Sequence, residues 1–195
     1  MPAAIPDIER ALTAVGELLD AQGERAHIVI LGGAALNLLG VVRRAPRDVD
    51  VLAIARPRTG SRRRKLRRPD PLPASLRQAA AVVARDFNLP SDWLNTDVAG
   101  QWDTGLPRGL ERRVAWRSFA GLEVGIVDRR DLVFFKLYAA ADSRGPESVH
   151  YQDLLALQPT ETELAAAARW VRHQDPSPAF AGELQRLLGH VRQAR

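Results

Sequence analysis

"ILGGAALNLLGVVRRAPRDVDVLAI", residues 30–54, decides how this chain reads. It sets two glycines at the end of a β-branched run, a short apolar segment behind them, and then two aspartates separated by one valine. On a strand, residues i and i+2 point to one face, so Asp48 and Asp50 project side by side. Two carboxylates that close repel unless a cation or a proton sits between them. Magnesium suits such a pair where phosphates are handled, because it takes a few carboxylate oxygens and fills its other positions with substrate oxygens. The glycines agree with that chemistry. Gly32 and Gly33 let backbone N–H groups approach a phosphate closely, and the helix after them offers its positive end. Taken alone, an Asp-x-Asp also suits a solvent-facing strand edge. The order of strand, Gly-Gly, short helix, loop and Asp-Val-Asp on the next strand is what favours a site.

Working outward, Ile5, Ile8, Leu12, Val15 and Leu19 have helical spacing over residues 5–22, and Gly23 closes that helix. His27–Leu31 is a short strand, and Gly32-Gly33 turns it into a short helix ending near Gly40. Asp48–Ile54 alternates acid and apolar residues as a half-buried strand does. RPRTGSRRRKLRRPDPLP, residues 56–73, reads as a loop. A helix is expected over 74–87 with Leu76, Ala79, Ala80 and Val83 inward, and an irregular stretch over 88–110. There Trp93 and Trp102 read as buried anchors rather than base-stacking platforms. Residues 112–127 read as a hairpin, and Asp128 as the cap of the helix through LVFFKLYAAAD. Thr160 with Glu163 forms a capping box for a helix to about His173. Pro176 and Pro178 break it, and a last amphipathic helix follows. The fold class is therefore α/β (α+β): a core over residues 1–130 that includes the N-terminal helix, with a helical region, 131–195, packed on it.

Composition bounds the function. A chain of 195 residues with 46% hydrophobic content can build a real core. It contains no cysteine, which excludes disulfides and thiolate zinc sites and makes a reducing compartment the default. MPAAIPDIER lacks the layout of a signal peptide, and the longest apolar run, Ile28–Val42, is broken by glycine and too short to span a bilayer. The expectation is a cytoplasmic protein without a membrane partner. Net charge is +5 with a pI near 10.5, which favours a polyanionic partner.

Eight of the 28 basic residues fall between Arg56 and Arg68, six of them in RRRKLRR. Such a block repels itself and is expected to be mobile without a partner. Arg62, Arg63, Arg64, Lys65, Arg67 and Arg68 are thus candidates for salt-sensitive contact with a nucleic-acid backbone. A solvated loop and an acidic partner protein are the other readings. His27, His150, His173 and His190 have no metal-ligand spacing, and neither a Ser-His-Asp triad nor a Walker loop is apparent. Only Lys65 and Lys136 are lysines, and Lys136 stands in LVFFKLYAA, apolar on all sides. A lysine there must snorkel to water or meet an anion. Asp153, in HYQDLLAL, reads as an exposed or capping acid. Glu123, in LEVGIV, reads as an outward position on the hairpin, with a third carboxylate for the Asp pair as the alternative.

From Val29 to Ile54 the chain resembles a minimal nucleotidyltransferase of the polymerase-β-like fold, whose signature is Gly-[Gly/Ser], a spacer and Asp-x-Asp. More narrowly, "LGGAALNLLG", "PRDVDVL", "DWLN" at 92–95, "VDRRDLVFFKLYAAADSRG" and "YQDLLAL" resemble the AbiEii/MenT-type family, the toxin halves of bacterial toxin–antitoxin pairs. The resemblance extends over residues 27–157. It implies a nucleotidyltransferase core with a small mixed sheet. Asp48 and Asp50 would bind Mg²⁺ (or Mn²⁺) and align the α-phosphate of a nucleoside triphosphate. Gly32 and Gly33 would contact its β- and γ-phosphates, with backbone donors alone where many members add a serine hydroxyl. Lys136 matches a nucleotide-binding helical lysine that neutralises the triphosphate, and Asp153 a late aspartate acting as base or metal ligand near the nucleophile. The implied activity is transfer of NMP from an NTP to RNA, the tRNA 3′ end above all, which stops translation; a cognate antitoxin is the implied partner. Two alternatives stay open: a small-molecule or partner-protein acceptor on the same fold, and a catalytically silent binding fold. The positive charge argues against a cationic antibiotic as acceptor. The base used and the oligomeric state are not legible.

Overall fold

The apolar spacing at the start of the chain is realised as α1 (Ile8–Ala21), capped by the Asp7 side chain, which accepts from the Arg10 N–H at 2.9 Å. The computed structural model describes residue 5 and residues 7–58, 61–143 and 145–194. Contacts divide it into two compact units, Met1–Asp103 with Gly109–Val127, and Thr104–Arg108 with Asp128–Arg195. The first is mixed α/β and the second helical, and no helix among the described residues is long and apolar enough to cross a membrane.

In the first unit β1 (Ala26–Leu31) is central. It leads through α2 (Gly32–Leu38) into β2 (Val49–Arg58), then β3 (Ser61–Arg67), α3 (Ala74–Asp86), β4 (Leu94–Asn95), the one-turn α4 (Gln101–Thr104), β5 (Ala115–Phe119) and β6 (Leu122–Ile126). The strands order as β3-β2-β1-β6-β5, with β4 also paired to β2. The β1–β6 and β2–β4 pairs are parallel and the others antiparallel, so the sheet is mixed. Leu76, Ala79, Ala80 and Val83 of α3 are buried, as their spacing requires.

The basic stretch departs from expectation. Residues 56–73 read as a loop, yet β2 runs on to Arg58 and β3 pairs with it, Ala55 opposite Leu66 and Arg56 opposite Lys65. A strand needs only one apolar row on its inward face. Here buried Ala55 and half-buried Leu66 supply that row, and the arginines around Leu66 hide it from a reading by hydrophobicity.

A bulge interrupts β1–β2: Val29 faces Ala53 but Ile30 faces Val51, so Leu52 is left out of the register. Leu52 lies between the rungs that pair β2 with β4 and those that pair it with β3. Its carbonyl accepts from Trp102 Nε1–H at 2.7 Å. The indole thus satisfies a backbone oxygen that the ladder misses. Trp93, 1% exposed, likewise donates Nε1–H to the Ala80 carbonyl at 3.0 Å. Both tryptophans are anchors.

The second unit builds on α5 (Arg129–Asp142), with α6 (Val149–Ala156), α7 (Glu161–Gln174) and α8 (Pro178–Gln193) packed against it. Each helix starts on a residue suited to the task. Asp128, Ser148 and Ser177 accept from backbone N–H groups, and Thr160 with Glu163 forms the expected capping box. Phe134, Phe135 and Tyr138 of α5 meet Trp170 edge-on, with ring centroids 5.4–6.4 Å apart. Trp170 also holds the 104–108 segment, donating Nε1–H to the Gly105 carbonyl at 3.1 Å.

Candidate functional site

The last rung between β1 and β2 sets Leu31 opposite Asp50, and the chain turns at once into α2. Gly32 makes the turn with φ +77, a region that residues with a side chain occupy only under strain. A Cβ there would lie 2.3 Å from Asp50 Oδ2, so the carboxylate rests directly against the turn. Gly33 is different: its nearest neighbours to a Cβ, Arg44 Nη2 and Pro46 Cβ, are 3.9 Å away, so a side chain there would meet ordinary van der Waals contact without a clash.

Asp48 lies just before the first residue of β2 rather than within the strand. Alternation still holds, with Val49 fully buried and Asp48 and Asp50 half-buried on either side of it. The Val49 N–H donates to the Trp93 carbonyl at 2.6 Å, and Val49 and Asp50 pair with Leu94 and Asn95. The Asp-Val-Asp and Asp-Trp-Leu-Asn segments are therefore neighbours. The loop before Asp48 is tied down by Asn37 Nδ2, which donates to the Arg44 carbonyl at 3.0 Å, and by the Ile5 N–H, which donates to Pro46 O at 2.7 Å.

No group of three or more potential metal-ligating side chains occurs among the described residues, so the candidate donor set is the Asp48/Asp50 pair. Two half-exposed carboxylates, one of them against a glycine turn, suit a cation that completes its shell with substrate oxygens; a closed protein cage would need more donors.

Lys136 and Asp153 lie in the second unit and meet each other there. Lys136 Nζ is 2.8 Å from Asp153 Oδ2, with the side chains 7% and 0% exposed. The lysine in its apolar helix thus meets an anion and does not snorkel, and Asp153 is neither exposed nor a cap. Either charge alone would be expensive to bury, and pairing makes both tolerable.

The basic hairpin has two chemically distinct faces. Arg64 turns onto the sheet: its guanidinium carbon lies 3.9 Å from the centroid of the Trp116 ring, Nη1 is 2.9 Å from His27 Nδ1, and Nη2 donates to Glu123 Oε2 at 3.0 Å. Gly125 makes room for this stack, since a Cβ there would lie 3.0 Å from the Trp116 ring. Burial, and then the Arg64 charge, hold the His27 imidazole below its ordinary value. For Glu123 burial pushes upward, but hydrogen bonds from Ser118 and Arg64 together with the Arg64 charge outweigh it and hold the carboxyl low.

Glu123 pairs in register with His27, at the start of β1, whereas Asp50 pairs with Leu31 at its end. Four residues of strand, roughly 13 Å, separate the two rungs. Glu123 belongs to the Arg64 cluster. Arg68 is ion-paired with Asp103, and Lys65 and Arg67 are exposed. The side chains of Arg62 and Arg63 lie outside the described residues.

Sequence reasoning missed the Arg64 clasp, since Arg64 stands among like cations and Leu66 is the one apolar residue beside it. No family model, curated protein or solved structure matches the chain.

Proposed function

We propose that this chain is a divalent-metal-dependent nucleotidyltransferase of polymerase-β-like type that transfers NMP from an NTP to RNA. One observation carries the reading: the Asp50 carboxylate lies against the Gly32 turn, with Asp48 two residues upstream. Asp48 and Asp50 would hold Mg²⁺ or Mn²⁺. When bound, the cation supplies Lewis-acid charge at the α-phosphate and acidifies the attacking hydroxyl. The turn at Gly32 and Gly33 would present backbone N–H groups to the triphosphate. The acceptor oxygen bonds to the α-phosphorus as its proton passes to solvent water, the bond from that phosphorus to the β-bridging oxygen breaks, and pyrophosphate leaves.

The resemblance to AbiEii/MenT-type toxins makes the tRNA 3′ end the acceptor and a cognate antitoxin the partner. It also assigns Lys136 to the triphosphate and Asp153 to the nucleophile. Their mutual ion pair already accounts for both, and we assign them to the core of the second unit.

The test is transfer itself. Purified protein is incubated with total tRNA, Mg²⁺ and each α-labelled NTP in turn, beside Asp48→Ala. Label in tRNA from the wild type, cut at least about a hundredfold in the variant, is the expected result. Equal labelling by both would remove Asp48 from the chemistry. Absence of label with all four NTPs would remove tRNA as the acceptor.

A further inference from the structure

The two faces of the β2–β3 ribbon do different work. Arg64 and Leu66 turn towards the sheet, while Lys65 and Arg67 alternate with them and are exposed, as is Arg56. Arg56 and Lys65 are direct cross-strand partners, and Arg67 follows two residues on, opposite Ile54. Like charges set directly opposite destabilise a ladder, and no acidic residue occurs from Arg56 to Arg68 to relieve them. Among the described residues no ion pair engages Arg56, Lys65 or Arg67, whereas Arg64 has Glu123 and Arg68 has Asp103. Three cations on one face of a paired ribbon, without counter-charge, complement a string of anions spaced along a chain. The ribbon has its own register and is clasped to the sheet through Arg64, so that face is held in place.

We infer that the Arg56–Lys65–Arg67 face of the β2–β3 ribbon is the docking surface for the phosphate backbone of single-stranded RNA, and that Arg64 is not a contact. This rests on the reading of RNA as acceptor and deepens it by separating the residues that touch RNA from the one that stiffens the ribbon. A phosphodiester is favoured over an acidic protein because closely spaced charges with little side-chain demand match cations set one strand apart, at Arg56 and Lys65, and two residues apart, at Lys65 and Arg67.

The test measures binding without Mg²⁺ or NTP, so it stands apart from transfer. A fluorescein-labelled single-stranded RNA is titrated with the whole protein at several salt concentrations, and anisotropy gives the affinity at each. The wild type is compared with Arg56→Gln/Lys65→Gln/Arg67→Gln and with Arg64→Gln; circular dichroism confirms that each is folded.

With about 0.7 in the log–log salt slope per phosphate contact on a single strand, the triple variant should lose about 2 from the slope and bind about tenfold more weakly or worse. Arg64→Gln should keep the wild-type slope. A triple variant with unchanged affinity and slope would overturn the proposal, as would a slope lost on changing Arg64 alone. A labelled polyglutamate that binds as tightly as the RNA, and depends on the same three residues, would make the occupant an acidic chain and overturn it too. RNA that docks on this face but is never labelled would leave the surface standing and refute the transfer reaction.

Discussion

Each unit carries a pair of charged residues that the sequence marks, and the two pairs are built on opposite terms. In the first unit Asp48 and Asp50 have the same charge and stay half-buried, with Asp50 directly against the Gly32 turn. In the second, Lys136 and Asp153 have opposite charges, meet at 2.8 Å and are shut away from water. A like-charged pair that keeps access to solvent fits a ligand that is not part of the chain. An opposite pair with no access to solvent fits a role in packing its own helices. The difference shows why an ionisable residue in an apolar sequence is only half a clue: its partner decides whether it serves binding or folding.

Breaking the buried pair should have the largest effect on stability. Lys136→Met removes the cation 2.8 Å from the fully buried Asp153 carboxylate, and a loss of about 3–5 kcal/mol is expected, read as a lower urea midpoint. The double variant Lys136→Met/Asp153→Leu should recover most of that. A double variant no more stable than the single one would mean that the ion pair is not what ties α5 to α6. The corresponding experiment in the first unit sets the two glycines against each other. Gly32→Ala must accept φ +77 and place a Cβ 2.3 Å from Asp50 Oδ2, for an expected loss of about 1–3 kcal/mol. Gly33→Ser should change stability by less than about 0.5 kcal/mol, since no atom crowds that position. Equal losses in thermal melts would remove the special standing given to Gly32.

The smallest effect is a pH dependence. His27 is held below its ordinary value of 6.5, so the unfolded chain binds a proton there more readily than the folded one. The stability that a neutral His27 contributes is fully present above that ordinary value and declines as pH falls through the lowered one. Glu123, also held low, adds a loss of the same sign in a more acidic range, below its ordinary value of 4.5. Denaturation midpoints should therefore fall from neutral pH towards pH ~5, and His27→Gln should flatten that part of the curve. An NMR titration placing His27 above 6.5 would contradict the arrangement around Arg64.

The elements read most easily from sequence are those with local signals. The apolar spacing of α1, the Asp128 cap of α5 and the Thr160–Glu163 box of α7 each lie within a few neighbouring residues. The β2–β3 ribbon was hidden because its inward row comes from two strands, Ala55 on one and Leu66 on the other, and neither alone makes an alternating pattern. Distance along the chain hid the rest. Lys136 and Asp153 could each be singled out, but they stand on different helices and their pairing appears only when α6 packs on α5. The Asp-Val-Asp motif was legible, and the contact of Asp50 with Gly32 was not, since it depends on the register of β1 with β2.

On the proposed function, the pair in the first unit holds a metal–nucleotide complex while the pair in the second holds the fold. Electron paramagnetic resonance of Mn²⁺, titrated with protein in the presence of a non-hydrolysable NTP analogue, addresses it without any need for turnover. The wild type should bind Mn²⁺ only when the analogue is present. Asp48→Ala and Asp50→Asn should lose that binding with their thermal melts intact, and the folded Lys136→Met/Asp153→Leu variant should retain it. Nucleotide-dependent Mn²⁺ binding that survives both aspartate substitutions, or that vanishes only with the buried pair, would contradict the claim.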